Sequence, residues 1–251
     1  MRNAGTTVEI DAQGLHYRDL NERVREVVAG GAGEIVLRNV RGQRYIGAGL
    51  TDEVQIAIEG VPGNDLACFM NGPRVVVEGN VQDCVANTMS SGSVMVHGDA
   101  GDILGYSMRG GKVFIRGDAG YRAGIHMKAF QDRAPVMIIG GTARDYLGEY
   151  MAGGTLVVLG LGAEDGEYIA GDLAGTGMHG GEIYLRGGVD PAQIGKEVGE
   201  VEIDDACWER LGLCLAEFCG EFGLDVGEFS REQFTRLCPV SLRPYGKVYV
   251  Y

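Results

Sequence analysis

The chain has 251 residues, of which 43 are glycine and six proline. Glycine is more than twice its usual share of about 7 %, yet a hydrophobic fraction of 45 % supports a buried core, so collagen-like and disordered chains are excluded. The formal net charge of −13 opposes the nucleic-acid backbone and anionic lipid, so neither nucleic acid nor membrane is expected as a partner.

The N-terminal stretch MRNAGTTVEIDAQG has no signal-like apolar run, and no apolar run reaches the length of a membrane span. A cytoplasmic location is expected, with the six cysteines as reduced thiols. TVEIDA reads as a strand. Tyr17 to about Val28 reads as a helix, with Leu20, Val24, Val27 and Val28 on one face. Residues 1–32 are expected to form a small α/β cap on the open end of the body that follows.

From residue 33 to 189 the chain repeats itself. Six methionines mark the period: Met70, Met89, Met108, Met127, Met151 and Met178. Their steps are 19, 19, 19, 24 and 27 residues, and Leu50 in GAGL fits as an earlier rung. A tiny residue stands three places before each: Ala67, Ala86, Gly105, Gly124, Gly148 and Gly175. Short strand-forming runs keep the same phase, among them QIAIEG, RVVVEG, SVMVHG, KVFIRG, PVMIIG, TLVVLG and EIYLRG. Such a unit is too short for a βαβ motif or a propeller blade, and suits one coil of a parallel β-helix. The expectation is an all-β core, a right-handed parallel β-helix of about eight coils.

Alternation sends Val75 and Val77 inward, with Val94 and Val96, then Val113 and Ile115, above them. The methionines are expected to stack as one interior ladder. Their regular spacing favours core packing over a soft-metal site such as one for Cu(I). His126 and His179 are expected to point outward into solvent. A cysteine metal site from Cys207, Cys214 and Cys219 is disfavoured by their spacing, and no cofactor or metal is expected in this chain.

After Asp190 the composition changes. Asp205 to Phe222 reads as an amphipathic helix with Trp208, Leu211, Leu215 and Phe218 on one side. A second helix is expected near Arg231 to Leu237, with Ser230 as its N-cap. The helical region of residues 190–251 either docks another protein or folds back on the last coil. It ends in the extended, aromatic tail SLRPYGKVYVY.

The glycines spell G-x-x-G-x-x-x-G, complete at Gly98, Gly101 and Gly105 and again at Gly117, Gly120 and Gly124. Glycine at such corners supplies φ > 0 or room for the opposite wall, and Gly148 and Gly175 continue the series. This pattern resembles the GXGXG family, which includes the C-terminal β-helix domain of the glutamate synthase large subunit and one of the subunits of formylmethanofuran dehydrogenase. GYRAGIHMKAFQDRAPVMIIGG, GEYMAGGTLVVLGL and GTGMHGG look most like the glutamate synthase branch, as a stand-alone subunit. Gln82, Ala86, Ala67 and Arg144 depart from the motif and leave local corners altered.

The resemblance implies a non-catalytic scaffold that links a glutamine amidotransferase to an FMN-binding synthase. It places FMN and iron–sulfur clusters in those partner subunits, and the complex makes glutamate from glutamine and 2-oxoglutarate. The alternative is the equivalent scaffold in formylmethanofuran dehydrogenase or another redox complex. A free-standing carbohydrate-active β-helix is less favoured: Asp99 and Asp118 are equivalent, but the other rungs lack a matching acid.

Overall fold

The computed structural model describes residues 6–164 and 166–240. Strand β1 (Thr7–Asp11) is followed by helix α1 (Tyr17–Ala29). Strands β2 (Glu34–Arg41), β3 (Gln55–Val61), β4 (Asn71–Val77), β5 (Ser91–Val96), β6 (Lys112–Ile115), β7 (Val136–Ile139), β8 (Ala152–Val158) and β9 (Gly180–Arg186) come next. Then follow β10 (Val198–Glu200), α2 (Asp205–Phe222) and β11 (Phe234–Pro239). One sheet holds all these strands in the order β1 to β9, then β11 and β10. Each neighbouring pair from β1 to β9 is parallel. Successive parallel neighbours joined by a return path of roughly twenty residues make a solenoid.

Register fixes which side chains share a column. Val75, Val94, Val113, Met137, Leu156 and Ile183 stand opposite one another in turn, as do Val77, Val96, Ile115, Ile139, Val158 and Leu185. All are buried in one continuous interior cluster. A second, bridged column runs along another side through Val81, Ala100, Ala119, Ala143 and Ala170. The solenoid makes about six complete turns rather than eight. At the first end the chain leaves the coil path through α1, and at the last it reverses into antiparallel strands.

Both ends are closed. Helix α1 buries Leu20, Val24 and Val28 in the solenoid's own interior cluster. Asn21 Nδ2 donates to the Arg44 carbonyl at 2.8 Å, and Arg25 donates to that of Ala48 at 2.9 Å. At the far end β11 pairs antiparallel with β9, and β10 with β11. The expected helix over Arg231–Leu237 is a single 3-10 turn at Arg231–Gln233 followed by β11. Phe234, Thr235, Arg236 and Leu237 pair there with β9; the β-branched and aromatic positions serve an edge that would otherwise be open. The expected extended tail falls on residues 241–251, outside the described residues.

Candidate functional site

Seven successive corners share one unusual backbone shape. In each, residues i, i+2 and i+4 take left-handed φ: Ile103, Gly105 and Ser107 in one turn, Arg122, Gly124 and His126 in the next. Fourteen of these twenty-one positions are not glycine, although a left-handed L-residue costs roughly 1–2 kcal/mol. Neighbouring coils offset that cost with backbone bonds. The Ile103 and Ser107 amides donate to Tyr121 and Ile125 on the coil above, and the Gly105 amide donates to Val85 on the coil below, at 2.8–3.0 Å. The pattern recurs at Arg122, Gly124 and His126. In the last of these turns the Gly177 amide donates to the Glu197 carboxylate at 3.1 Å instead.

The middle residue of each triad faces the opposite wall. A Cβ on Gly124 would lie 2.6 Å from Leu156 Cδ1, and one on Gly148 would lie 2.7 Å from Ile183 Cδ1. On Gly175 it would lie 2.9 Å from Val198. Both reasons for glycine, positive φ and close approach, therefore apply there.

The other motif glycines differ. Gly98, Gly101, Gly117 and Gly120 are not in the left-handed region. A Cβ on them would meet Asn80, Asp83, Asp99 and Asp102 Oδ1, respectively, at 2.1–2.2 Å. Each of those oxygens accepts the next residue's amide: Asn80 from Asp99, Asp83 from Asp102, Asp99 from Asp118 and Asp102 from Tyr121, all at 2.9 Å. Asp118 and Asp145 continue the two ladders to Thr142 and Asp172. These glycines are thus gaps through which one coil's Asn or Asp side-chain oxygen reaches the next coil's backbone. The equivalence of Asp99 and Asp118 is the geometry of a structural ladder.

Met70, Met89, Met108, Met127, Met151 and Met178 are all buried in the main interior cluster, and Leu50 lies with them. Their carbonyls bond in sequence: Leu50 accepts from Asn71, Met70 from Ser90, Met89 from Arg109, Met108 from Lys128, Met127 from Ala152 and Met151 from His179. Met89 Cε and Met151 Cε lie against glycines one coil farther on, Gly111 just before β6 and Gly181 near the start of β9.

The outward face of the strands is also covered. Met95, Phe114, Ile138, Val157 and Tyr184 form a second cluster with Cys207, Leu211, Leu215 and Phe218 of α2. Helix α2 runs back along the rod: Phe218 packs edge-on to Phe114 at 5.7 Å, and Glu221 bonds Arg74 of β4 at 2.6 Å. Its 18 residues span about 27 Å, close to the roughly 24 Å of five strand spacings from β9 to β4. The helix therefore covers several coils rather than the last one alone. The signal for this was the unbroken apolar triplets VMV, VFI, MII and LVV, which mark strands buried on both faces. At its N-terminus Asp204 caps the helix by accepting from the Cys207 amide at 2.7 Å. Beneath it Tyr184 donates to Glu182 at 3.0 Å, and Glu182 pairs with Arg236. Burial and the Glu182 carboxylate push the Tyr184 phenol well above its ordinary range.

This chain matches the GXGXG motif over residues 24–238. It belongs to the GXGXG motif family, that of the glutamate synthase C-terminal domain. A protein of Methanocaldococcus jannaschii named "Uncharacterized protein MJ1350" is 48 % identical over 250 residues, covering 96 % of each chain.

Reactive side chains in this GXGXG chain are dispersed. His126 is exposed, stacked on Tyr150 at 5.3 Å, while His179 is half-buried beside the Gly177 carbonyl. His16 caps α1 and His97 meets Phe222 edge-on. Cys207, Cys214 and Cys219 lie along α2, Cys68 and Cys84 on the coils, and Cys238 on β11. Among the described residues no three His, Cys, Asp or Glu side chains are placed to hold a metal ion. No described helix is long and apolar enough to cross a membrane. Burial, with Asp65 alongside, pushes the Cys68 thiol up to about 11.

Proposed function

We propose that this GXGXG chain is a non-catalytic scaffold subunit of a glutamate-synthase-like complex. It links a glutamine amidotransferase to an FMN-binding synthase, and FMN and iron–sulfur clusters reside in those partners. The observation that carries the reading is the family match over nearly the whole described chain, together with the use of the motif residues for construction. The motif glycines make room for neighbouring side chains, and the repeated methionines are buried.

Such a body suits positioning. Parallel coils bonded to both neighbours, stapled outside by α2, resist bending between one end and the other. A rigid spacer holds two active sites at a fixed separation, which limits the loss of ammonia passing between them. Mixing the purified chain with synthase and amidotransferase subunits from the same source, followed by size-exclusion chromatography, tests the reading. A ternary peak containing the chain is the expected result. Synthase and amidotransferase that elute together without it overturn the reading.

A further inference from the structure

The strip between the triad corner and the start of the strands differs from the rest of this acidic molecule. Ser90, Arg109 and Lys128 stack on consecutive coils, since their amides donate in turn to the Met70, Met89 and Met108 carbonyls at 2.8–2.9 Å. Arg109 and Lys128 are exposed. The turn Phe130–Arg133, part of the insertion that lengthens one coil, lays a third exposed cation on the strip. Arg133 Cβ would be 3.2 Å from a Cβ on Gly110, and its guanidinium reaches Asn71 Oδ1 at 3.5 Å.

Rings line the same strip. Tyr106 meets His126 edge-on at 5.8 Å, and His126 stacks on Tyr150 at 5.3 Å. Tyr150 is 47 % exposed, and Phe69, two coils below Tyr106 in the same corner, is 61 % exposed. Of the acids nearby, Glu149 is buried and paired with Arg122, and Asp132 lies in the insertion beside Arg133. The Asp83–Asp102 and Asp99–Asp118 ladders lie before the triad in each coil, whereas the strip follows it, and Asp65, a triad residue, is bonded by Asn87 at 3.1 Å.

From this arrangement we infer that the strip docks an acidic segment of a protein partner that also carries apolar side chains. Exposed rings, contiguous from Tyr106 through His126 to Tyr150, gain by burial against an apolar partner surface, and cations beside them select carboxylates. A protein segment is favoured over nucleic acid because it meets the strip alone. A continuous phosphate chain would also face the rest of a molecule of net charge −13. The inference deepens the scaffold reading, on which the identity of the partner rests, by assigning a surface to it.

The test uses the full chain and three probes: the synthase subunit, the amidotransferase subunit, and a short synthetic peptide of alternating Glu and Leu. Binding is measured for the wild-type chain, the double variant Arg109→Glu with Arg133→Glu, and Tyr150→Ser. Arg144→Glu, at an exposed position beside the aspartate ladders, is the control. The expected result is loss of about tenfold or more in affinity for the peptide and for one subunit in both strip variants, weakening further with salt, and none in the control. Equal binding by wild type and strip variants overturns the assignment, even if the complex assembles. A wild-type chain that binds neither subunit nor peptide overturns it too. Binding of an RNA homopolymer, or self-association, that depends on the same residues replaces it with another occupant. A chain that binds the peptide through this strip but joins neither subunit leaves the strip assigned and defeats the scaffold reading instead.

Discussion

A Cβ placed on Gly105 would lie 2.3 Å from Cε of Met137, two strands farther along the rod from β5. The same offset joins Gly124 to Leu156 and Gly148 to Ile183. Where the triad centre is alanine instead, at Ala67 and Ala86, this offset sets Val94 and Val113 opposite. From Ala67 to Gly148, glycine faces Met, Leu or Ile and alanine faces valine, whereas Gly47 and Gly175 at the two ends face Val75 and Val198. Gly105→Ala is therefore expected to destabilise by about 1–3 kcal/mol through overpacking, and Met137→Val is expected to recover at least about 1 kcal/mol of it. Thermal or urea unfolding of the two single variants and the double one measures the coupling. Strict additivity contradicts the proposed offset.

Met108→Ala removes a fully buried side chain from the interior. The expected loss is roughly 2–5 kcal/mol, the range for large-to-small core changes. Met108→Leu, close in volume, should cost under about 1.5 kcal/mol. A similar small loss for both in denaturant titration would mean that Met108 does not fill the bore.

The aspartate ladder predicts a second pairwise effect. Gly120→Ala puts a methyl where Asp102 Oδ1 stands, 2.2 Å away. Asp102→Ala removes that oxygen and leaves the Tyr121 amide without its acceptor, at a cost of about 1 kcal/mol. The double variant is expected to be more stable than the sum of the two, because the shortest clash goes with the carboxylate, while the contacts with the Gly101 carbonyl carbon and the Asp102 nitrogen, at 2.8 and 2.9 Å, remain. Unfolding midpoints that simply add would remove the carboxylate from its role as a link between coils.

Buried thiols give a pH signature. With its pKa raised to about 11, Cys68 favours the protonated form in the folded chain. Its contribution to stability is therefore full below the unfolded thiol value of about 8.5, and is lost as pH rises from there toward about 11. At pH 8, labelling of Cys68 by a disulfide reagent should run at least about a hundredfold slower than in urea. Peptide mapping of the labelled product reads this out. Fast labelling of Cys68 in the folded chain would place it outside the corner.

The period was legible because a coil repeats its chemistry at each rung. The columns through Val75 and Val77, and helix α2 over Asp205–Phe222, follow from alternation and apolar spacing. The division of labour among the glycines was not legible. In the sequence Gly101 and Gly105 look alike, but one clears a carboxylate from the coil below and the other turns the backbone beside a core side chain. That distinction depends on which residue of another coil lies opposite, and no local pattern encodes it. Residues Phe234–Leu237 misled for a related reason. Pairing with the edge of β9 overrides their local preference. The strip of cations and rings was also hidden, since its members are separated in sequence and meet only when coils stack.

The proposed role is to hold two enzymes together without doing chemistry. Reconstitution of synthase and amidotransferase subunits with and without this chain decides it, with glutamine-dependent glutamate formation measured beside the ammonia-dependent rate. The isolated chain is expected to be colourless and inactive. Its omission is expected to prevent stable assembly and to lower the glutamine-dependent rate while the ammonia-dependent rate persists. A complex that assembles without this chain and keeps its full glutamine-dependent rate would refute the role.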